Sequence, residues 1–478
     1  MAGLSAGLYP LIYLYTSNHT LITSWYQFLF LILGFIGLPI MSFLGLCFVS
    51  KQIGIIRKYH LQIFSFLNVS VFAGLLVYST YGFKKKILLV VCLIAFALTF
   101  VLFKYIKRVI QLQFILALVG LIFLVPTLYR YFSYDDKWLS QPDKIEAVKF
   151  KKKPNIYLIQ PDGYVGLSEL PRGNYSQDNS DFSKFLSENN FKVYPNFRSN
   201  YFSTLSSNSS MFAMKHHYYN GTANINKELL YARDVIVSEN PVLSIFKTNG
   251  YATSLILEKP YLLANRPKLG YDYCNISYDD LPIIIKDVGF KRDVNSALET
   301  AIKSNRKENN FYFVERIIPG HISTWKSSSE GKDLEREKYL NRLKEANLWL
   351  KGTISLINKY DSDALIIIAA DHGGFVGYDY STQSSEKPKN RDNTFSMFSS
   401  LLAIKWPENP NQYDKDLKTS VNLFRTLFTY LSEDKSLLRN LQDDRSYLAV
   451  DKNAPLGIYV VIDENDNAVF KTLESSEK

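Results

Sequence analysis

The chain of 478 residues carries 55 Lys and Arg against 45 Asp and Glu, a formal net charge of +10, and 47% of it is hydrophobic. Its basic residues are dispersed and many flank apolar blocks, which fits membrane and anionic headgroups and argues against a nucleic-acid partner. Three cysteines, with Cys47 and Cys92 inside apolar blocks and Cys274 alone further on, exclude a disulfide framework.

The two parts of the chain differ sharply. Up to about Tyr129 the sequence runs in charge-free blocks of Leu, Ile, Phe, Val and Tyr. Phe28–Val49 and Leu61–Phe83 are long enough to span a bilayer, and Ile87–Phe103 and Leu112–Tyr129 are shorter but adequate. Ala2–Ser17 is a fifth candidate: it contains Pro10 and lacks the basic start of a cleaved signal peptide. With the amino terminus inside, Lys51, Arg57, Lys58, Lys104, Lys107 and Arg108 fall in inner loops, and only Lys84, Lys85 and Lys86 fall outside. With five spans, that bias places everything after Arg130 on the outer side of the membrane. The expected organisation is a transmembrane helical domain over 1–130, a connector over 131–153 and a soluble domain over 154–478. Within the connector, Lys151–Lys153 reads as a solvated hinge or a headgroup contact.

The soluble part alternates apolar strands with helical patterns, the signature of an α/β domain around a largely parallel sheet. Strands are predicted at Asn155–Gln160, Thr253–Leu257, Phe311–Ile318 and Ala364–Ala370, and helices at Asp181–Asn189 and Glu337–Lys359. Gly457–Ile462 and Ala468–Thr472, flanking the polar turn DENDN, read as a hairpin.

Three of these strands end in residues suited to chemistry. Asp162 follows the first, His321 follows the Phe311 strand, and Asp371–His372 with two glycines follows the run from Ala364 to Ala370. Carboxylates and imidazole are ligands for a divalent cation such as zinc or manganese, and loops beyond strand carboxyl ends are where α/β sheets place ligands. The plainer alternative is that Asp162 and Asp371 cap following helices. The stretch NYFSTLSSNSSMF, Asn200–Phe212, supplies hydroxyl nucleophiles at Ser203, Thr204, Ser206, Ser207, Ser209 and Ser210, among which composition does not choose.

NIYLIQPDGY, NYFSTLSSNSSMF, IIPGH and LIIIAADHGG, in this order, resemble the sulfatase-like branch of the alkaline phosphatase superfamily, and most of all its membrane-anchored lipoteichoic acid synthases and phosphoethanolamine transferases. The resemblance implies a metal held by Asp162, Thr204, Asp371 and His372, with Thr204 the nucleophile and His321 beside the transferred group. It implies transfer of a phospholipid headgroup, of phosphoethanolamine or phosphoglycerol type, through a phosphothreonine to an envelope glycan or glycolipid. Arg391 and Asn393 are candidate phosphate contacts. A phospho- or sulfo-ester hydrolase of the same fold, or a non-catalytic lipid-binding relative, is the alternative. The sulfatase nucleophile motif, Cys or Ser followed by Pro and Arg, is absent, Gly374 stands where many transferases carry Glu, and no histidine follows His372.

Overall fold

The computed structural model describes residues 1–221, 229–284, 290–304, 308–410 and 412–474. They form two compact units. One gathers Met1–Tyr134 with two short stretches beginning at Ala264 and Leu281, and the other holds the rest of the chain from Asp135 onward.

In the first unit, helices run over Ala2–Asn18, Trp25–Ile32, Leu38–Gln52, His60–Tyr81, Lys85–Leu102 and Ile106–Phe132. Three stretches are long and apolar enough to cross a membrane: Trp25–Gln52, His60–Tyr81 and Lys85–Leu139. Three is fewer than the five expected, although a helix stands at each of the five predicted blocks. Ala2–Asn18 has only 17 residues. The Ile87 and Leu112 blocks are not separated by a loop, because Phe103–Tyr105 tightens into a single 3₁₀ turn and the helix resumes at Ile106. The long stretch exposes Leu89, Leu93, Phe96, Phe100, Leu118, Ile122 and Phe123, an apolar surface suited to lipid rather than water.

Ala2–Asn18 is nonetheless an integral part of this unit. Gly3 and Gly7 stand four residues apart; a Cβ on Gly7 would lie 1.6 Å from the Phe35 carbonyl oxygen, and one on Gly3 2.8 Å from the Ile40 backbone. Only glycine permits backbones to approach so closely. One face of the helix also carries a buried polar knot. Ser5 Oγ donates to Gln113 Oε1 at 2.7 Å, and the Asn68 and Gln113 amides exchange bonds of 3.1 and 2.8 Å. Three helices are thereby pinned by groups that lipid would leave unpaired.

The second unit is an α/β layer structure. Its strands are β1 Ile156–Pro161, β2 Lys192–Val193, β3 Ala252–Leu257, β4 Tyr273–Cys274, β5 Asn310–Arg316, β6 Leu365–Ala369, β7 Leu402–Lys405, β8 Ser446–Val450, β9 Gly457–Ile462 and β10 Ala468–Thr472. Seven form one sheet in the order β2-β7-β6-β1-β5-β3-β4, parallel from β6 to β4, with β7 and β2 antiparallel at one edge. The hairpin β9–β10 forms as predicted and gains β8 as a third strand.

β1 and β6 are buried throughout, as their unbroken apolar runs require of central parallel strands. On one face, Tyr157, Ile159, Tyr312, Val314, Ile366 and Ile368 pack with Leu343, Ala346, Leu350 and Ile354 of the helix Lys332–Tyr360. On the other face, the helices Thr204–Ala213 and Leu423–Ser432 are buried over their whole length, with Phe212 against Phe313 and Phe424 against Phe311. Lys151 and Lys152 donate backbone bonds to the Leu431 carbonyl, and Lys152 pairs with Glu408 and Glu433. The backbone of that run is docked on the α/β unit, while the Lys151 and Lys153 side chains are exposed.

Candidate metal centre and nucleophile

Because β1 and β6 are parallel neighbours, their carboxyl ends deliver Asp162 and Asp371 to one edge of the sheet. Neither residue caps a helix; the next α-helices begin at Ser180 and Arg391. Both chains turn sharply instead. Gly163 has φ +68°, and a Cβ there would lie 2.4 Å from the Gly320 carbonyl oxygen, so this turn and the loop before His321 are in backbone contact. The Gly163 and His372 amides both donate to Asp371 Oδ1 at 3.0 Å, fixing that carboxylate while its other oxygen faces the site.

Thr204 arrives from a distant segment. Ser203 is extended and ends the incoming chain, and Thr204 opens the helix Thr204–Ala213. Thr204 Oγ1 lies 3.4 Å from Asp162 Oδ2 and 3.4 Å from His372 Nε2. Four of the neighbouring hydroxyls are engaged elsewhere, and Ser210 Oγ is buried without a partner among the described residues. Ser203 and Ser206 bond one another at 2.6 Å, Ser207 Oγ donates to the Asp371 carbonyl at 2.6 Å, and Ser209 Oγ donates to the Leu205 carbonyl at 2.6 Å. Of the six hydroxyls that composition left open, the structure brings Thr204 to the acidic cluster.

Asp162, Asp371 and His372 each offer one ligand atom, all within 4.8 Å of one another and all buried. Asp162 Oδ1 and Asp371 Oδ2 are buried and have no hydrogen-bond partner among the described residues. A buried, unpaired carboxylate oxygen is costly, and two of them converging with an imidazole fit a cation. His372 completes the fit. Its Nδ1–H donates to the Gly373 carbonyl at 2.8 Å, which turns the Nε2 lone pair toward Asp371 Oδ2 at 3.4 Å and Asp162 Oδ1 at 3.9 Å.

Without a cation the electrostatics are strained. Burial first, and the Asp371 charge second, push the Asp162 carboxyl up to about 7. Burial opposes charging of His372, yet Asp371 and Asp162 outweigh it and hold its pKa above the ordinary value. His321 sits beside the cluster, its ring centroid 6.2 Å from that of His372. Burial and the neighbouring His372 hold it down to about 4, its Nδ1–H is given to the Ile322 carbonyl at 2.6 Å, and Arg342 clamps the Pro319 and His321 carbonyls.

Arg391 and Asn393 are not brought into the cluster. The Arg391 guanidinium forms a two-pronged pair with Glu169 at 2.6 and 2.7 Å and lies 3.9 Å over the Phe395 ring. Asn393 bonds Asn390 and the Gly377 carbonyl. His216 and His217 are buried beneath the nucleophile segment: His217 donates Nε2–H to the Ser206 carbonyl at 3.0 Å, and burial lowers its pKa to about 3. They support the helix and do not reach the cluster.

Gly374 has a structural explanation. A Cβ there would lie 2.2 Å from the Tyr339 ring, and the Tyr339 hydroxyl donates to the Gly163 carbonyl at 2.9 Å while accepting from the Val165 amide at 3.2 Å. A tyrosine on the long helix therefore fills the space beside the DHGG turn and braces the Asp162 loop. Nothing in the sequence marked Tyr339 or Ser207 for these tasks, since one sits in a helical repeat and the other in a serine-rich run.

Beside the nucleophile opens a cavity of about 750 Å³, lined by Ser203 and Ser206, by Tyr261, Trp325 and Tyr380, and by Lys326 and Lys452. No Asp or Glu among the described residues contributes to its wall.

No protein-family model matches the chain, and no curated protein sequence does. Solved structures do. The chain is similar in structure to phosphoethanolamine transferases. The integral membrane lipooligosaccharide phosphoethanolamine transferase A of Neisseria meningitidis is 13% identical, with 77% of this chain and 75% of that one covered and a TM-score of 0.43. The zinc complex of the periplasmic domain of EptC from Escherichia coli is 14% identical, with 66% and 93% covered and a TM-score of 0.42. The corresponding domain from Campylobacter jejuni is 14% identical, with 59% and 90% covered and a TM-score of 0.37. At such scores no residue role crosses from these proteins, and the site stands on its own side chains.

Proposed function

We propose that the protein is a metal-dependent phosphotransferase of the inner membrane that moves a phospholipid headgroup through Thr204 to a glycan or glycolipid on the outer face. The observation that carries this reading is the meeting of Thr204 Oγ1 with Asp162 Oδ2 and His372 Nε2 beside two buried, unpartnered carboxylate oxygens. A zinc or manganese ion held by Asp162, Asp371, His372 and Thr204 would neutralise phosphate oxygens and lower the cost of ionising the hydroxyl.

Thr204 Oγ forms a bond to phosphorus as the bond to the glycerol oxygen breaks, and diacylglycerol leaves with a proton. The acceptor hydroxyl then attacks the phosphothreonine and restores Thr204. His321, neutral and with Nδ1–H already committed, presents Nε2 as an acceptor. That suits taking the proton of the acceptor hydroxyl rather than protonating the leaving oxygen. The cavity beside Ser203 and Ser206 has room for a substrate much larger than water.

Full-length protein in phospholipid vesicles carrying a labelled headgroup tests this. Labelled acceptor and an intact-mass adduct on Thr204 are expected, and Thr204→Ala is expected to lose both. Full transfer by Thr204→Ala would refute the nucleophile, and label released only to water would refute the transferase.

A further inference from the structure

One turn below Thr204, on the sheet side of its helix, a layer of polar side chains is sealed in the core. Gln160 of β1 and Glu315 of β5 are register partners on adjacent parallel strands, so their side chains stand together on one face of the sheet. That face is the one covered by Thr204–Ala213, since Phe212 packs on Phe313, two residues before Glu315. Moving four residues toward the start of the helix, from Phe212 to Asn208, advances about 6 Å, the same distance as from Phe313 to Glu315 along the strand. Asn208 thus lies over Glu315 and Gln160, and the next turn reaches Thr204 over Asp162.

Gln160 and Asn208 are 0% exposed and Glu315 is 1% exposed. Both carboxylate oxygens of Glu315, and both amide atoms of Gln160 and of Asn208, are buried without a hydrogen-bond partner among the described residues. Six such atoms, four oxygens and two amide nitrogens, stand in one layer without bonding to each other. The donors available are a carboxylate and two amide oxygens, a hard set suited to Mg²⁺ or Ca²⁺ and poor for zinc. The positive charge felt at Glu315 is that of Arg233, whose Nε donates to the Tyr261 carbonyl at 2.8 Å; against it stand Glu315, Asp162, Asp371 and Glu258.

We propose that Glu315, Gln160 and Asn208 form a second cation site, distinct from the Asp162–Asp371–His372 cluster, that holds a hard, oxygen-preferring ion between the sheet and the nucleophile helix. The ion ties the helix to the strands where hydrogen bonds are missing, and so sets the height of Thr204 over the catalytic cluster. The site does not depend on the identity of the transferred group.

Metal analysis of full-length detergent-solubilised protein, dialysed against Mg²⁺ or Ca²⁺ together with zinc, tests the proposal. Wild type is expected to retain one zinc and one Mg²⁺ or Ca²⁺ per chain. Glu315→Gln is expected to lose the hard ion and keep the zinc, and Asp371→Asn to do the reverse. Asn208→Asp, which keeps the shape and adds a charge, is expected to bind Ca²⁺ at least about tenfold more tightly, read by the shift of thermal unfolding with Ca²⁺ concentration. Wild type holding zinc alone, with unfolding insensitive to Mg²⁺ and Ca²⁺, would mean that water fills the layer and would overturn the proposal. So would a Glu315→Gln protein that keeps both ions.

Discussion

Asp162 sets how the candidate metal cluster responds to acid. With its carboxyl pushed up to about 7, a metal must displace a proton there below neutrality. Zinc affinity measured by calorimetry is expected to fall by at least about tenfold per pH unit below pH 7, since Asp162 and His372 both give up protons to the metal, and Asp162→Asn should make the dependence shallower. The sign for folding is opposite to that of an ordinary paired carboxylate. A raised pKa means the metal-free fold binds this proton more tightly than the unfolded chain, so Asp162 costs stability as pH rises from about 4 to about 7. Gly374 makes a separate prediction. Even Gly374→Ala drives a methyl into the Tyr339 ring, and thermal unfolding should report a loss of about 1–3 kcal/mol, with Gly374→Glu worse. At this scale the sequence exposed the strand-end acids, because charge at the end of an apolar run is conspicuous. It left Arg391 misread, since a partner 222 residues away, Glu169, has no local trace.

The helix Thr204–Ala213 is the element that joins the parts of the site. Ten residues with four serines and one threonine look like a surface loop, yet all ten are buried. Ser206, Ser207 and Ser209 close onto backbone carbonyls or a neighbouring hydroxyl, which suits them to a core position, while Ser210 Oγ is buried without a partner among the described residues. Ser207 is the link whose loss can be isolated. Ser207→Ala removes the bond to the Asp371 carbonyl and should cost about 1 kcal/mol in unfolding. Metal affinity is expected to fall with it while donor KM stays unchanged, a split read by calorimetry and steady-state kinetics. The strands were legible because parallel central strands are simple apolar runs. The apolar blocks of the helical unit were legible as helices too, but the 3₁₀ joint at Phe103–Tyr105 was not, because composition does not mark where one helix passes directly into the next.

Across the whole molecule, the site draws on residues that are far apart in sequence. Asp162 and His372 are separated by more than 200 positions, and the sheet neighbours β1 and β6 meet only after β5 and the helix Lys332–Tyr360 have been made. The α/β class was readable from alternating patterns. The partnership of β1 with both β5 and β6 was not, since strand order is a property of non-local pairing. This architecture imposes a schedule on biosynthesis. A nascent chain that has emerged only as far as Tyr360 carries Asp162 and Thr204 but lacks the strand that seats their partner ligands. A chain truncated before Leu365 should therefore acquire no zinc at this site by metal analysis. On the proposed reading, metal capture would wait for the synthesis of β6, and a chain interrupted earlier would carry only half of the ligand set.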